Sequence, residues 1–218
     1  MEGFPWRLVT VDIDGTLTRG HGWLDIARAF GRQDDYSRSN RRLRAREIGE
    51  DEHLTDLLDI ATGRTVEEVD RILDQTPRLD GIREALGELH RLGTRVALLT
   101  HNPDYVIDYY QREFGFDDGE GVIVPRDGAG RLAPPGSVRA DKITGLHRLI
   151  ARASTEPAHT AHIGDGWADV PVFREVGAGI ALNSTLDEVN RAADRVLRTT
   201  DFREVIAALH GLPSPVSR

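Results

Sequence analysis

The order of apolar and polar positions divides the chain into an alternating part and an inserted part. Residues 7–11, Arg-Leu-Val-Thr-Val, are rich in β-branched and apolar side chains, the pattern of a buried strand. Comparable runs at 94–100, 121–125, 159–163, 178–182 and 195–198 predict five more strands. Between them, helical spacing predicts helices over 81–92, from Pro103 to about Phe114, and over 140–153, 167–176, 185–193 and 202–210. Gly93 marks the end of the first, and Pro103 suits the opening position of the second. The stretch 126–137, rich in Gly and Pro, reads as a hairpin or loop, and the tail after Gly211 as a frayed end.

Residues 18–79 interrupt the alternation. Trp23, Leu24, Ile26, Ala27 and Phe30 lie at helical spacing over 21–31. Residues 34–49 are highly charged and read as helix, and Leu54, Leu57, Leu58 and Ile60 mark another at 51–61. Thr65, with Glu68 three residues on, is a capping box opening a helix at 65–75. The expected fold class is therefore α/β. A Rossmann-like, doubly wound, mostly parallel sheet is assigned to 1–17 and 80–218, with an inserted all-helical cap at 18–79.

Composition narrows the function. The 218 residues suffice to bury a core without disulfide or metal staples. A net charge of −8 argues against a nucleic-acid partner. Cysteine is absent, which excludes disulfides and thiolate chemistry. No apolar run approaches a membrane span, and the first residues lack the basic-then-apolar pattern of a signal peptide. The expectation is a cytoplasmic monomer or homodimer. Lys142 is the only lysine in an otherwise arginine-based set of cations. GC-rich coding would produce that bias but not its exception. A site with room for an ammonium and not for a planar guanidinium would explain it.

In open α/β sheets, ligands sit beyond the carboxyl ends of the strands. Three predicted strands end in polar residues of matching character: Asp12-Ile13-Asp14-Gly15-Thr16, Thr100-His101-Asn102, and Gly164-Asp165-Gly166 with Asp169 shortly after. Singly, each has a plainer reading. Asp12 and Asp14, or Asp165, make ordinary turns, Thr100 a helix cap, Lys142 a solvated helix residue, and Asp169 an acidic first-turn residue. Their order and their placement at strand ends set them apart.

These motifs resemble those of the haloacid dehalogenase superfamily, specifically its phosphatases with a helical cap between the first two motifs. The four motifs are Asp12-Ile13-Asp14-Gly15-Thr16-Leu17, Thr100 after Val96–Leu99, Lys142, and Gly164-Asp165-Gly166-Trp167-Ala168-Asp169. The subgroup they are most similar to is phosphoserine phosphatase and its relatives. The resemblance implies hydrolysis of a small-molecule phosphate ester through an aspartyl-phosphate, with Asp12 as nucleophile and Asp14 as acid/base. It implies a magnesium ion (Mg2+) held by the Asp12 carboxylate, the Asp14 carbonyl and the Asp165 carboxylate, with Asp169 acting through water or orienting that shell. Lys142 would neutralise charge, and Thr100 with backbone groups near Gly15 and Thr16 would hold the phosphoryl oxygens.

The organic end departs from the subgroup. His21 stands where a glutamate normally meets the substrate ammonium, Trp167-Ala168 replaces Ala-Asn, and Thr100-His101-Asn102 replaces a small Ser-Gly pair. His21, His101 and Asn102 are the substrate-binding candidates, joined from the insertion by Trp23, Arg41, Arg42, Arg44 and Arg46, although Trp23 also fits a core position and the arginines a solvated helix face. A phosphosugar or polyol phosphate is at least as well suited as phosphoserine. A phosphonatase of this superfamily needs a cap lysine, and none precedes Lys142. A phosphotransferase or mutase would keep the same motifs, and a non-catalytic phosphate-ester-binding module is the remaining alternative.

Overall fold

The computed structural model describes residues 3–139 and 141–213. The expectation of a frayed tail after Gly211 lies largely outside them. Six strands form one sheet: β1 (Leu8–Val11), β2 (Arg95–Pro103), β3 (Asp118–Val122), β4 (Thr160–Gly164), β5 (Ala178–Leu182) and β6 (Arg195–Leu197). Their order is β3-β2-β1-β4-β5-β6, and every pairing is parallel. The direction of winding reverses at β1, which lies between β2 and β4, so a switch-point crevice opens beyond its carboxyl end.

The parallel sheet is covered on both faces, which explains why β1, β4 and β5 are wholly buried. Alternate residues separate the two sides. Val9, Val11, Val96 and Leu98 join the larger core with α5 (Ile82–Arg91), α6 (Asp104–Phe114) and α10 (Glu204–His210). Leu8, Ala97 and Leu99 meet α7 (Lys142–Arg152) and α8 (Val170–Glu175). Thr10 shares the second face by strand parity, and its register partners are Ala97 and His162. This phase carries Asp12, just past β1, to the side where α7 begins. A last helix, α9 (Asp187–Ala192), packs beside β5.

Four helices separate β1 from α5: α1 (Gly22–Ala29), α2 (Gln33–Arg44), α3 (Glu50–Asp59) and α4 (Val66–Leu73). The Thr65–Glu68 capping box forms as expected. The charged helix is shorter than its charge run suggested: α2 ends at Arg44, and Arg46 takes a positive φ of 57°. The insertion does not build a separate core, because Trp23, Ile26, Leu54, Leu58 and Val69 belong to the cluster that reaches the sheet. Its entry and exit are tied where Leu79 N–H donates to Leu17 O (2.9 Å) and Arg19 N–H to Pro77 O (2.8 Å). On α4, Asp70 pairs with Arg112 at 2.6 Å, anchoring the insertion to α6.

Two strands differ from the sequence expectation. β2 runs on through His101 and Asn102 to Pro103, so Thr100 lies within the strand. β3 occupies 118–122, not 121–125. Its glycines explain the shift: a Cβ on Gly121 would lie 2.2 Å from Asn102 O, and one on Gly119 would lie 2.3 Å from Ile107. Its carboxylates find partners on α7, Asp118 with Arg152 and Glu120 with Arg148 and Arg152. No helix among the described residues is long and apolar enough to cross a membrane.

Candidate active site

Asp12 lies on the floor of a cavity of about 270 Å³ between the strand ends and the inserted helices. Its Oδ1 is 2.9 Å from Lys142 Nζ, and that ammonium also donates to Asp169 Oδ1 at 2.6 Å. Lys142 is the first residue of α7 and only 6% exposed. Burial disfavours its charge, but the two carboxylates outweigh that and hold the amine above its ordinary range. This enclosed space between two carboxylates suits one compact cation, which gives the lysine exception a physical reason.

Asp169 is completely buried and its acceptors are filled. Oδ1 receives Lys142 and, at 2.9 Å, His162 Nε2, while Oδ2 receives the N–H groups of Asp165 (3.0 Å) and Gly166 (2.9 Å). Burial pushes its carboxyl up, yet Lys142 and His162 together hold it well below the usual range. Four donors match the lone-pair sites of a carboxylate, so Asp169 orients its neighbours and has no oxygen left to ligate an ion directly. His162 did not emerge from the sequence. It is fully buried on β4, and its Nδ1 lies 2.8 Å from Thr10 Oγ1. The available signal was a histidine inside a buried strand, which needs partners on both nitrogens.

Asp14 is half-buried and held at both oxygens. Gly22 N–H, at the start of α1, donates to Oδ1 at 2.6 Å, and Asn102 Nδ2 donates to Oδ2 at 2.9 Å. Burial raises its carboxyl above the ordinary value, with those two hydrogen bonds opposing. The second Asn102 amide contact goes to Thr100 Oγ1 (3.1 Å), which also accepts from Asn102 N–H (3.2 Å). With both acceptor positions of Thr100 occupied, its own proton remains to donate into the cavity. The sequence placed Asn102 on substrate; the structure places it on Asp14 and Thr100.

Gly15 and Thr16 likewise shape the loop. Gly15 N–H is taken by Gly20 O (3.1 Å) and Thr18 Oγ1 (3.0 Å), and Thr16 Oγ1 donates to Asp165 Oδ1 (3.0 Å). Neither donor is free for a phosphoryl oxygen. Gly15 has φ +81°, and a Cβ there would lie 2.2 Å from Asp165 Oδ2, so only glycine fits. Burial, followed by the charges of Asp12 and Asp169, pushes the Asp165 carboxyl up to about 8.

Four carboxylates thus face one ammonium. Oxygens of Asp12, Asp165 and Asp169 lie within 4.8 Å of one another. The pressure on Asp165 to take a proton is an excess of negative charge that a divalent cation would relieve. Oxygen donors alone suit a hard cation. Asp12 and Asp165 fit as its carboxylate ligands, and Asp169 as the residue that orients the shell.

The insertion walls the rest of the cavity. His21 is exposed at the rim, Trp23 is buried, and Tyr36, Asn40 and His53 are half-buried. Trp167, 56% exposed, faces the cavity from the fourth motif. His101 also lines it, but its Nε2 is enclosed without a partner among the described residues, and burial first, then Lys142, pushes the ring down to about 4. The arginine run is elsewhere. Arg41, Arg44 and Arg46 are exposed outside the cavity lining, and Arg42 pairs with Glu52 at 2.9 Å. Helix phase turns Arg41 and Arg44 to the outer face, and Arg46 lies past the helix end, a distinction that the charge run alone does not carry.

A family described as haloacid dehalogenase-like hydrolase matches residues 6–177. Phosphoserine phosphatase of Archaeoglobus fulgidus is 25% identical over 181 residues, 82% of this chain and 53% of that protein. Phosphoserine phosphatase of Streptomyces coelicolor is 26% identical over 209 residues, 94% of this chain and 50% of that protein. The chain therefore spans about half the length of these relatives. Among solved structures, a phospho-aspartyl intermediate analogue of phosphoserine phosphatase superposes with a TM-score of 0.78 at 19% identity, over 93% of this chain and 98% of that one.

Proposed function

The chain belongs to the haloacid dehalogenase-like hydrolase family, and from that membership we propose a magnesium-dependent phosphatase acting on a small-molecule phosphate monoester. The observation that carries the reading is the pair of strand-end carboxylates in unlike settings: Asp12 against the Lys142 ammonium, and Asp14 gripped by Gly22 and Asn102.

In this reading the Asp12 carboxylate attacks phosphorus, and the ester bond breaks as Asp14 protonates the departing alkoxide. Asp14, now a carboxylate, then takes a proton from the water that cleaves the aspartyl-phosphate and restores Asp12. Its raised pKa supports a proton held there for the first step. Lys142 offsets the charge gathered around Asp12, and the Thr100 hydroxyl donates to a phosphoryl oxygen. Mg2+, held by Asp12, Asp165 and the Asp14 carbonyl, would supply charge neutralisation between phosphate and carboxylates. Residues 18–79 serve as the cap that excludes water and reads the organic group. The substrate is a phosphosugar, a polyol phosphate or a phosphoserine-like ester.

The test is phosphate release from a panel of small esters, with and without magnesium, by the wild type and Asp12→Asn. Magnesium-dependent release that disappears in Asp12→Asn is expected. Release that persists in Asp12→Asn would overturn the nucleophile assignment, and no release from any ester by folded protein that still binds one would favour a binding module.

A further inference from the structure

The organic end of the cavity contains a hydrogen-bonded relay that the proposed chemistry does not use. Ser39 on α2 is buried, 2% exposed, and faces α3. Its Oγ lies 2.7 Å from Asp56 Oδ2 and 2.9 Å from His53 Nδ1. An ionised carboxylate only accepts, and a hydroxyl has a single proton, so that proton goes to Asp56. Ser39 must then accept from His53, which fixes the ring with its proton on Nδ1. Nε2 becomes an acceptor on the side away from Ser39. His53 lines the cavity, Ser39 does not, and Nε2 has no partner among the described residues. Burial holds the ring below its ordinary pKa, in keeping with the neutral form.

The charge of this wall points the same way. Among the described residues no guanidinium lines the cavity, and the one ammonium that does, Lys142, is bound to Asp12 and Asp169. Glu50 adds a carboxylate beside His53, His21 and Asn40 add an imidazole and an amide, and Trp23, Leu54 and Leu57 add aromatic and aliphatic surface. A substrate carboxylate would meet Glu50 with no free guanidinium or ammonium opposite it among the described residues, whereas hydroxyls would meet acceptors.

We infer that this cavity selects phosphate esters of neutral polyols, with His53 Nε2 accepting a hydrogen bond from a substrate hydroxyl and the Ser39–Asp56 pair fixing its tautomer. The inference rests on the phosphatase reading and narrows its substrate class.

Matched esters test it. Glycerol 3-phosphate and 3-phosphoglycerate share a skeleton and differ in hydroxymethyl against carboxylate. The wild type is expected to prefer glycerol 3-phosphate by about tenfold or more in kcat/KM, and equal use or the reverse preference would overturn the inference. In His53→Phe, the kcat/KM ratio of glycerol 3-phosphate to p-nitrophenyl phosphate should fall about tenfold, mostly through KM, since the aryl leaving group offers no donor. An unchanged ratio would also sink it. Ser39→Ala keeps the ring and frees its tautomer. It should lower the same ratio about threefold, and the nitrogen-15 shifts of His53 should lose their single-tautomer signature. If those shifts instead place the proton on Nε2 in the wild type, the acceptor role is excluded. Calorimetry of the two esters with Asp12→Asn reads the same preference without turnover. Loss of Asp12-dependent p-nitrophenyl phosphate release would count against the phosphatase reading itself.

Discussion

The two ends of the cavity are built by opposite means. At the phosphoryl end, Asp12, Asp14, Asp165, Asp169 and Lys142 hang from β1, β4 and α7, and each side chain holds at least one hydrogen bond or ion pair within the site. At the organic end, His21, Tyr36, His53 and Trp167 stand on short helices and a turn, half-buried or exposed, with one partner or none. The first arrangement gives pre-organised charge in a fixed geometry, which phosphoryl transfer requires. The second can change residue by residue without disturbing the first. One fold can therefore keep its chemistry and change its substrate.

The largest test is at Asp14, the proposed acid/base. Asp14→Asn preserves shape and one of the two acceptor contacts but removes the exchangeable proton, and kcat should fall by about 10²–10⁴-fold. A leaving group of low pKa, such as p-nitrophenolate, should recover much of that loss; no recovery would deny Asp14 the acid role. Lys142→Met tests how far the phosphoryl end also holds the fold. It strands two buried carboxylates and should lower unfolding free energy by about 3–5 kcal/mol in urea titration. A cost near zero would mean that the ion cluster serves chemistry alone. Asn102→Ala should reduce kcat about tenfold with KM nearly unchanged, because the amide holds Asp14 and Thr100. A rise in KM alone would return Asn102 to the substrate list. The smallest effect belongs to the organic end: Trp167→Ala should alter KM by a few-fold and leave stability within about 0.5 kcal/mol, as expected of a largely exposed ring. A fall in kcat comparable to that of Asn102→Ala would erase the contrast between the two ends.

The same contrast explains what could be read from the chain. Buried parallel strands are continuous apolar runs, so β1, β4 and β5 and the motifs at their ends were legible without coordinates. β3 was not, because its place depends on glycines that admit Asn102 and Ile107 and on arginines arriving from α7. Ile123 and Val124, just past the end of β3, mimicked a strand, yet Ile123 is 82% exposed. The arginine run showed its charge but not its direction. The Ser39–His53–Asp56 relay arises only when α2 packs on α3, and no spacing within either helix announces it. His162 was the legible residue that was missed.

The solitary lysine has a practical consequence. Acylating and reductive-alkylating reagents need an unprotonated, reachable amine, and Lys142 is neither while it bridges Asp12 and Asp169. In the folded chain Lys142 should therefore resist amine labelling. A label at Lys142 would appear only when the site opens or the chain unfolds, so its mass would report on the integrity of the buried ion cluster.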